Sequence, residues 1–210
     1  ITNRRIDMSK EIFFGNDFRT QILKGAEIFS TTVTKTMGPF SGTVMMTRMG
    51  GLLQTKDGVT VAREINLKHP VANMGCQVLK EACIKVNDEA GDGTTTTACL
   101  TNAILKEAHK LIVAGYDPVT LQRELLTAMN TVVKELWQNA YPVEEEAEVH
   151  SVAMISCNGD LEVADALTEA CLAVGKDGTV VIEEGNSLGI EIDFKEGFEL
   201  NCGAVSSHFL

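Results

Sequence analysis

Basic residues are in short supply. The 210-residue sequence carries 18 lysines and arginines against 29 aspartates and glutamates, a net charge of −11. No five basic residues cluster anywhere, and aromatic residues make up only 5% of the chain. Such a surface repels phosphate backbones and anionic headgroups and offers few rings for bases to stack on. Nucleic acid and membrane surfaces are therefore excluded as expected partners. No apolar run approaches the length of a membrane span, and no secretory leader pattern opens the chain. The sequence starts at Ile1 instead of a methionine. That leaves room for missing leading residues, and an organellar precursor that has lost its leader would look the same.

Several motifs are also missing. The six cysteines are Cys76, Cys83, Cys99, Cys157, Cys171 and Cys202, and none forms a C-x-x-C pair. The four histidines are scattered, so zinc ligation is not expected. Most of the cysteines fall on apolar helical faces, where a free thiol acts as a small hydrophobe. The expected compartment is thus reducing: cytoplasmic, or a mitochondrial matrix or host-cell cytoplasm for an organellar or viral copy. No G-x-x-x-x-G-K-[ST] occurs, which excludes the common P-loop. No G-x-G-x-x-G follows a strand pattern, which leaves a dinucleotide fold without support.

What is present is an ordinary globular composition, 44% hydrophobic and 22% charged. The length suits one large domain or two small ones. Phe18, Ile22, Ala26, Phe29, Val33 and Met37 recur at helical steps and predict a long helix stopped by Gly38-Pro39. Thr43–Thr47 and Leu52–Thr55 read as a hairpin around Met49-Gly50-Gly51. A second helix presents Met74, Val78, Ala82 and Val86 on one face. A third carries Cys99, Ala103, Ile104, Ala108, Leu111 and Ile112 and ends at Gly115. Asp117-Pro118 reads as a cap and first residue of a fourth helix through Leu121, Leu125, Val132 and Leu136. The character changes near Tyr141-Pro142, where Glu144, Glu145, Glu146 and Glu148 read as a solvated face or linker. A shorter helix is expected from Leu161 to Val174, capped by Asp160 and ended by Gly175. Thr179–Glu183 and Leu188–Phe194 read as paired strands. The expected class is α+β, mostly helical, with no internal repeat.

Gly91-Asp92-Gly93-Thr94-Thr95-Thr96-Thr97 is the stretch richest in chemistry. Glycines let backbone N–H groups approach phosphate oxygens, and a helix start adds unpaired donors and a positive dipole end. Threonine hydroxyls add donors, and one aspartate can hold Mg²⁺. A glycine turn with a threonine cap is the alternative, though consecutive β-branched threonines start helices poorly. Two other loops could share the same nucleotide: Thr36-Met37-Gly38-Pro39, and the run from Thr55-Lys56-Asp57-Gly58 to Glu64.

Taken together and in order, these three loops resemble the group I chaperonins, the GroEL family. Phe14-Gly15-Asn16-Asp17, Asn73-Met74-Gly75, Ile155-Ser156-Cys157-Asn158-Gly159-Asp160 and Val174-Gly175-Lys176-Asp177-Gly178 add to the resemblance, which runs from about Phe14 to the last residue. It implies a ring-forming ATPase that encloses non-native polypeptides, with residues 1–139 as the first half of an equatorial domain. Residues 140–196 would be the first half of the intermediate domain, and residues 197–210 the start of the apical domain. Pro142 and Gly197 would mark the hinges. It further implies ATP and Mg²⁺ as cofactors, identical subunits in a heptameric ring, and a GroES-like co-chaperonin.

By the same resemblance Thr36, Met37, Gly38 and Pro39 would line the nucleotide, with Lys56 close by. Asp92 would hold Mg²⁺, and Gly93, Thr94, Thr95 and Thr96 would grip phosphates. Asp57 would sit near the γ-phosphate and the attacking water, and Ile155 would touch the nucleotide from the intermediate domain. Asp57 as a plain turn residue, and Ile155 as packing, are the alternatives. The sequence departs from the family pattern at Phe40-Ser41-Gly42-Thr43, where two positive charges are lost. It departs again at Asn201–Phe209, where Ala204 and His208 replace two tyrosines of a polypeptide-binding surface. Chaperonin subunits are far longer, so the sequence reads as the N-terminal part of one, or as a truncated relative. A self-contained phosphotransferase and a non-catalytic scaffold are the competing readings.

Overall fold

The computed structural model describes residues 13–38, 41–48, 51–143, 145–175, 178–183, 185, 189–195 and 197. Pro39, most of the expected apical segment, and the turn residues Met49 and Gly50 lie outside them. The described chain is mostly helical, with one small antiparallel sheet. It divides into two compact units, residues 1–131 and 132–210.

The first unit is built on a close helix pair. Helix α1 spans Gly15–Val33 and continues as a 3₁₀ turn, Thr34–Thr36; helix α3 spans Pro70–Ala90. Cβ atoms added to Gly25 and Gly75 would overlap the backbone oxygens of Ala72 and Ile22 respectively. Only glycine permits that approach. Between these helices, α2 (Gly58–Glu64) and the start of α4 (Thr94–Val113) lies the core. Ala26, Phe29, Val33, Val61, Ala62, Cys76, Leu79, Cys83 and Ala98 are its fully buried residues. The hairpin pairs β1 (Val44–Arg48) with β2 (Gly51–Thr55), Val44 opposite Thr55 and Met46 opposite Leu53. Val44 and Met46 pack against the core.

Four sequence expectations need correction here. The faces that α3 and α4 bury are not the ones their periodicity suggests. On α3 Met74 and Val78 are half exposed, while Gly75, Cys76, Leu79 and Cys83 face the core. On α4 Cys99 and Ile104 are exposed, and Thr94 and Ala98 go inside. On α3 the face bearing Gly75 turns inward because the α1 backbone lies too close there for any side chain. Second, the run Thr55–Glu64 is not all loop, since Gly58–Glu64 forms α2.

Helix α5 spans Pro118–Asn139, and the division between the units falls within it. Asp117 Oδ2 accepts from both the Thr120 N–H and the Thr120 hydroxyl at 2.8 Å, which satisfies an N-terminal donor of the helix.

In the second unit α6 (Glu146–Ser156) packs on α7 (Leu161–Val174). The third correction lies here: Glu145, Glu146 and Glu148 open a helix and are not a linker, though Glu145 and Glu146 keep the solvated position expected of them, and Glu144 lies outside the described residues. Glu148 Oε2 reaches back to the Glu145 N–H at 3.3 Å in a capping box. Acidic side chains in a first turn also complement the positive end of the helix dipole. Helix α7 begins and ends at the expected residues, with Asp160 Oδ1 accepting from the Val163 N–H. The strands expected after it are absent from the described residues: residues 178–183 and 189–195 are irregular. Val181 and Ile182 there are mostly exposed, and an isolated hairpin with no covered apolar face is marginal in water.

Candidate nucleotide site

In the first unit the three glycine- and threonine-bearing loops meet. Thr36, at the end of the 3₁₀ turn after α1, lies with its hydroxyl 3.5 Å from that of Thr95 in the first turn of α4. Gly58, the first residue of α2, packs against both hydroxyls; a Cβ there would overlap Thr95 Oγ1 and lie 3.3 Å from Thr36 Oγ1. One residue from each loop thus shares a single contact point.

Each loop is shaped by its own local chemistry. Gly38 has φ +84°, Gly91 φ +75° and Gly93 φ +94°, left-handed conformations that glycine adopts without strain. Gly91 closes α3 and Gly93 precedes α4, so Asp92 stands alone between a helix end and a helix start. Its Oδ1 accepts from the Gly93 N–H at 2.6 Å, and the carboxylate is exposed. No side chain caps α4. Its first helical bond runs from the Thr97 N–H to the Gly93 carbonyl, at 2.9 Å. The N–H groups of Thr94, Thr95 and Thr96 precede that bond and have no acceptor within the helix. The Thr94 hydroxyl is buried with no hydrogen-bond partner among the described residues, a state that costs about 1–3 kcal/mol unless something satisfies it. Thr95 is half-buried and Thr96 exposed.

Asp57 caps α2. Its Oδ1 accepts from the Val59 N–H at 3.2 Å and its Oδ2 from the Thr60 N–H at 2.9 Å and the Thr60 hydroxyl. The carboxylate is exposed despite these bonds, as is Lys56 beside it. Met37 is 47% exposed and lines a cleft of about 420 Å³ with Thr34, Cys99, Asn102 and Lys106. Ile155 lies on α6 in the second unit and is 80% exposed. A larger cleft of about 620 Å³ in that unit is lined by Glu146, His150, Asp165 and Glu169, and holds none of the expected nucleotide residues.

This donor set suits Mg-ATP. Open N–H groups at a helix start, hydroxyls and an unsatisfied threonine oxygen answer phosphate; an exposed lone carboxylate answers a hard cation that keeps most of its waters. Sequence reasoning named Asp57 and Asp92 but not Thr60 or the contact made by Gly58. Thr60 was detectable as the third residue after an aspartate that caps a helix. Gly58 was not, since its neighbours come from distant loops.

The family model of the TCP-1/cpn60 chaperonin family matches residues 29–208. The chain belongs to that family. Among solved structures, the chaperonin resembles the chaperonin gp146 from the bacteriophage EL 2 (Pseudomonas aeruginosa), crystallised in presence of ATP-BeFx. In crystal form II the identity is 31% and the TM-score 0.65, over 74% of this chain and 28% of that one. Crystal form I gives 30% and 0.64, over 74% and 28%. A group III chaperonin in the open state matches at 25% identity and TM-score 0.62, over 75% of this chain and 32% of that one. This chaperonin sequence therefore spans about a third or less of the length of those relatives. With a group III structure among them, membership holds for the family as a whole, and the closer likeness to group I remains a resemblance of motifs.

Proposed function

We propose that this chain is the ATP-binding part of an ATP-dependent chaperonin subunit that assists folding of non-native polypeptides within a ring of identical subunits. The observation that carries the reading is the meeting of Thr36, Gly58 and Thr95 beside the uncapped start of α4. In this reading the N–H groups of Thr94–Thr96 and the hydroxyls of Thr36, Thr95 and Thr96 bind phosphate oxygens, while Met37, Gly38, Pro39 and Lys56 flank the nucleotide. Asp92 holds Mg²⁺, which supplies charge neutralisation across the phosphates. Asp57 orients the attacking water, and Ile155 closes on the nucleotide from the intermediate domain. Residues 1–139, 140–196 and 197–210 serve as equatorial, intermediate and apical segments. A heptameric ring and a GroES-like co-chaperonin complete the proposal. The likeness to a chaperonin crystallised in presence of ATP-BeFx supports it.

The test is Mg-ATP affinity of Asp92→Ala, measured in the protein expressed from its full reading frame. Removing the metal ligand leaves phosphate charge unneutralised, so Mg²⁺-dependent affinity should fall by about tenfold or more. Unchanged affinity would sink the assignment. Native mass separates this reading from a self-contained phosphotransferase, which would be active as a compact monomer.

A further inference from the structure

We infer that Gly58 is a positioning residue of the nucleotide site, where its missing side chain lets the Asp57 loop rest on the hydroxyls of Thr36 and Thr95. The inference deepens the nucleotide reading and rests on it. Gly58 is buried at the first position of α2, and its φ is not left-handed. Backbone conformation therefore does not call for glycine, and helix propensity by itself favours alanine. Space is what calls for it. A Cβ on residue 58 would overlap Thr95 Oγ1 and crowd Thr36 Oγ1 at 3.3 Å.

The conflict can be relieved in two ways. Thr95 can turn its hydroxyl away, or α2 can lift off the start of α4. Thr95 is β-branched and sits in a helix, so its χ1 choices are few. Either movement separates the Thr36–Thr95 hydroxyl pair, now 3.5 Å apart, from the carboxylate of Asp57, the neighbour of Gly58. The same glycine thus fixes the spacing between the groups proposed to hold phosphate and the group proposed to orient water. The colliding atom is a single hydroxyl, so removing that hydroxyl should remove the effect of a methyl at 58.

A double-mutant cycle tests this in the protein expressed from its full reading frame, with wild type, Gly58→Ala, Thr95→Ala and the double variant. Two readouts are taken: the melting midpoint without nucleotide, and the Mg-ATP dissociation constant by calorimetry. Gly58→Ala should lower the melting midpoint and weaken Mg-ATP about tenfold in the wild-type background. In the Thr95→Ala background the same change should cost little further in either readout. Where Gly58→Ala fails to fold, recovery of folding in the double variant carries the same meaning, and failure of both overturns the steric account. Additive losses, or a Gly58→Ala protein that melts at or above wild type with unaltered affinity, also overturn it. Wild-type protein that binds no Mg-ATP sinks the nucleotide reading and this role together. Tight wild-type binding with an additive cycle sinks only the role of Gly58.

Discussion

Asp57 caps a helix and is proposed to act in hydrolysis, two roles that a well-chosen substitution can separate. As a cap its carboxylate accepts from the Val59 and Thr60 N–H groups, and as a proposed catalytic group its charge orients water. Asparagine caps helices about as well as aspartate. Asp57→Asn keeps the Thr60 bonds through its one oxygen and gives up only the longer 3.2 Å bond from Val59. It should therefore lower the melting midpoint only slightly and keep nucleotide affinity while kcat for ATP hydrolysis falls at least about tenfold, the pattern of a group that acts in the transition state. Equal loss of affinity and rate in Asp57→Asn would return it to a turn residue. The cysteines give a second prediction at this scale. Burial pushes the Cys83 thiol up from its ordinary value of 9.0 to about 11 and raises Cys76 as well, a rise that Lys80 partly offsets. Cys99 is exposed. In a short alkylation at pH 8, peptide mapping should find Cys99 labelled and Cys76 and Cys83 protected until denaturant is added. A raised folded-state pKa stabilises the fold below the unfolded value. That contribution from Cys83 is fully present below pH 9.0 and is lost as pH rises through about 11. Rapid native labelling of Cys83 would contradict its burial.

Helices α1 and α3 meet through glycine, and this contact holds the end of α1, and so Thr36, against the rest of the site. Gly75→Ala would drive a methyl into the Ile22 carbonyl, and Gly25→Ala into that of Ala72. Each should destabilise the fold by about 1–3 kcal/mol or more, because overpacking at a backbone contact has no side chain to rearrange. Chemical denaturation measures this directly, and a neutral result at both positions would mean the helices can part without loss. Elements with strong local signals were legible: α7 at both ends through Asp160 and Gly175, the start of α5 through Asp117-Pro118, and the hairpin. Helices α2 and α6 were not. Helix α2 spans only 7 residues, too few to show a period. Helix α6 opens on glutamates that resemble a linker until the reciprocal bond from Glu148 is seen.

Large apolar side chains remain uncovered across the described residues. Along α5, Leu125, Leu126, Met129, Val132, Val133, Leu136 and Trp137 are all at least 40% exposed, and Met74 and Val78 add a further stripe on α3. Stripes of this size bind partners or associate. The isolated 210-residue chain is therefore expected to bind a hydrophobic dye, to self-associate and to turn over no ATP. Light scattering and dye fluorescence check the first two, and a phosphate-release assay the third. A monomeric, dye-silent chain that melts cooperatively and hydrolyses ATP would favour the phosphotransferase reading instead. No helix among the described residues is long and apolar enough to cross a membrane.

The sequence by itself determined the family, the caps of α5 and α7 and the three glycine–threonine motifs, because those depend on residues close in the chain. Asp92 between its glycines and the run Thr94–Thr97 needed no tertiary information. Tertiary structure decided which side of α3 and α4 is buried. Periodicity finds apolar stripes but cannot rank them, and the close approach at Gly25 and Gly75 turns the Gly75 face of α3 inward. It also decided that Thr36, Gly58 and Thr95 share one point, although Thr36 and Thr95 lie 59 residues apart in the chain. Contacts at that separation leave no local pattern, since their energy comes from packing between elements and not from the propensities of either segment.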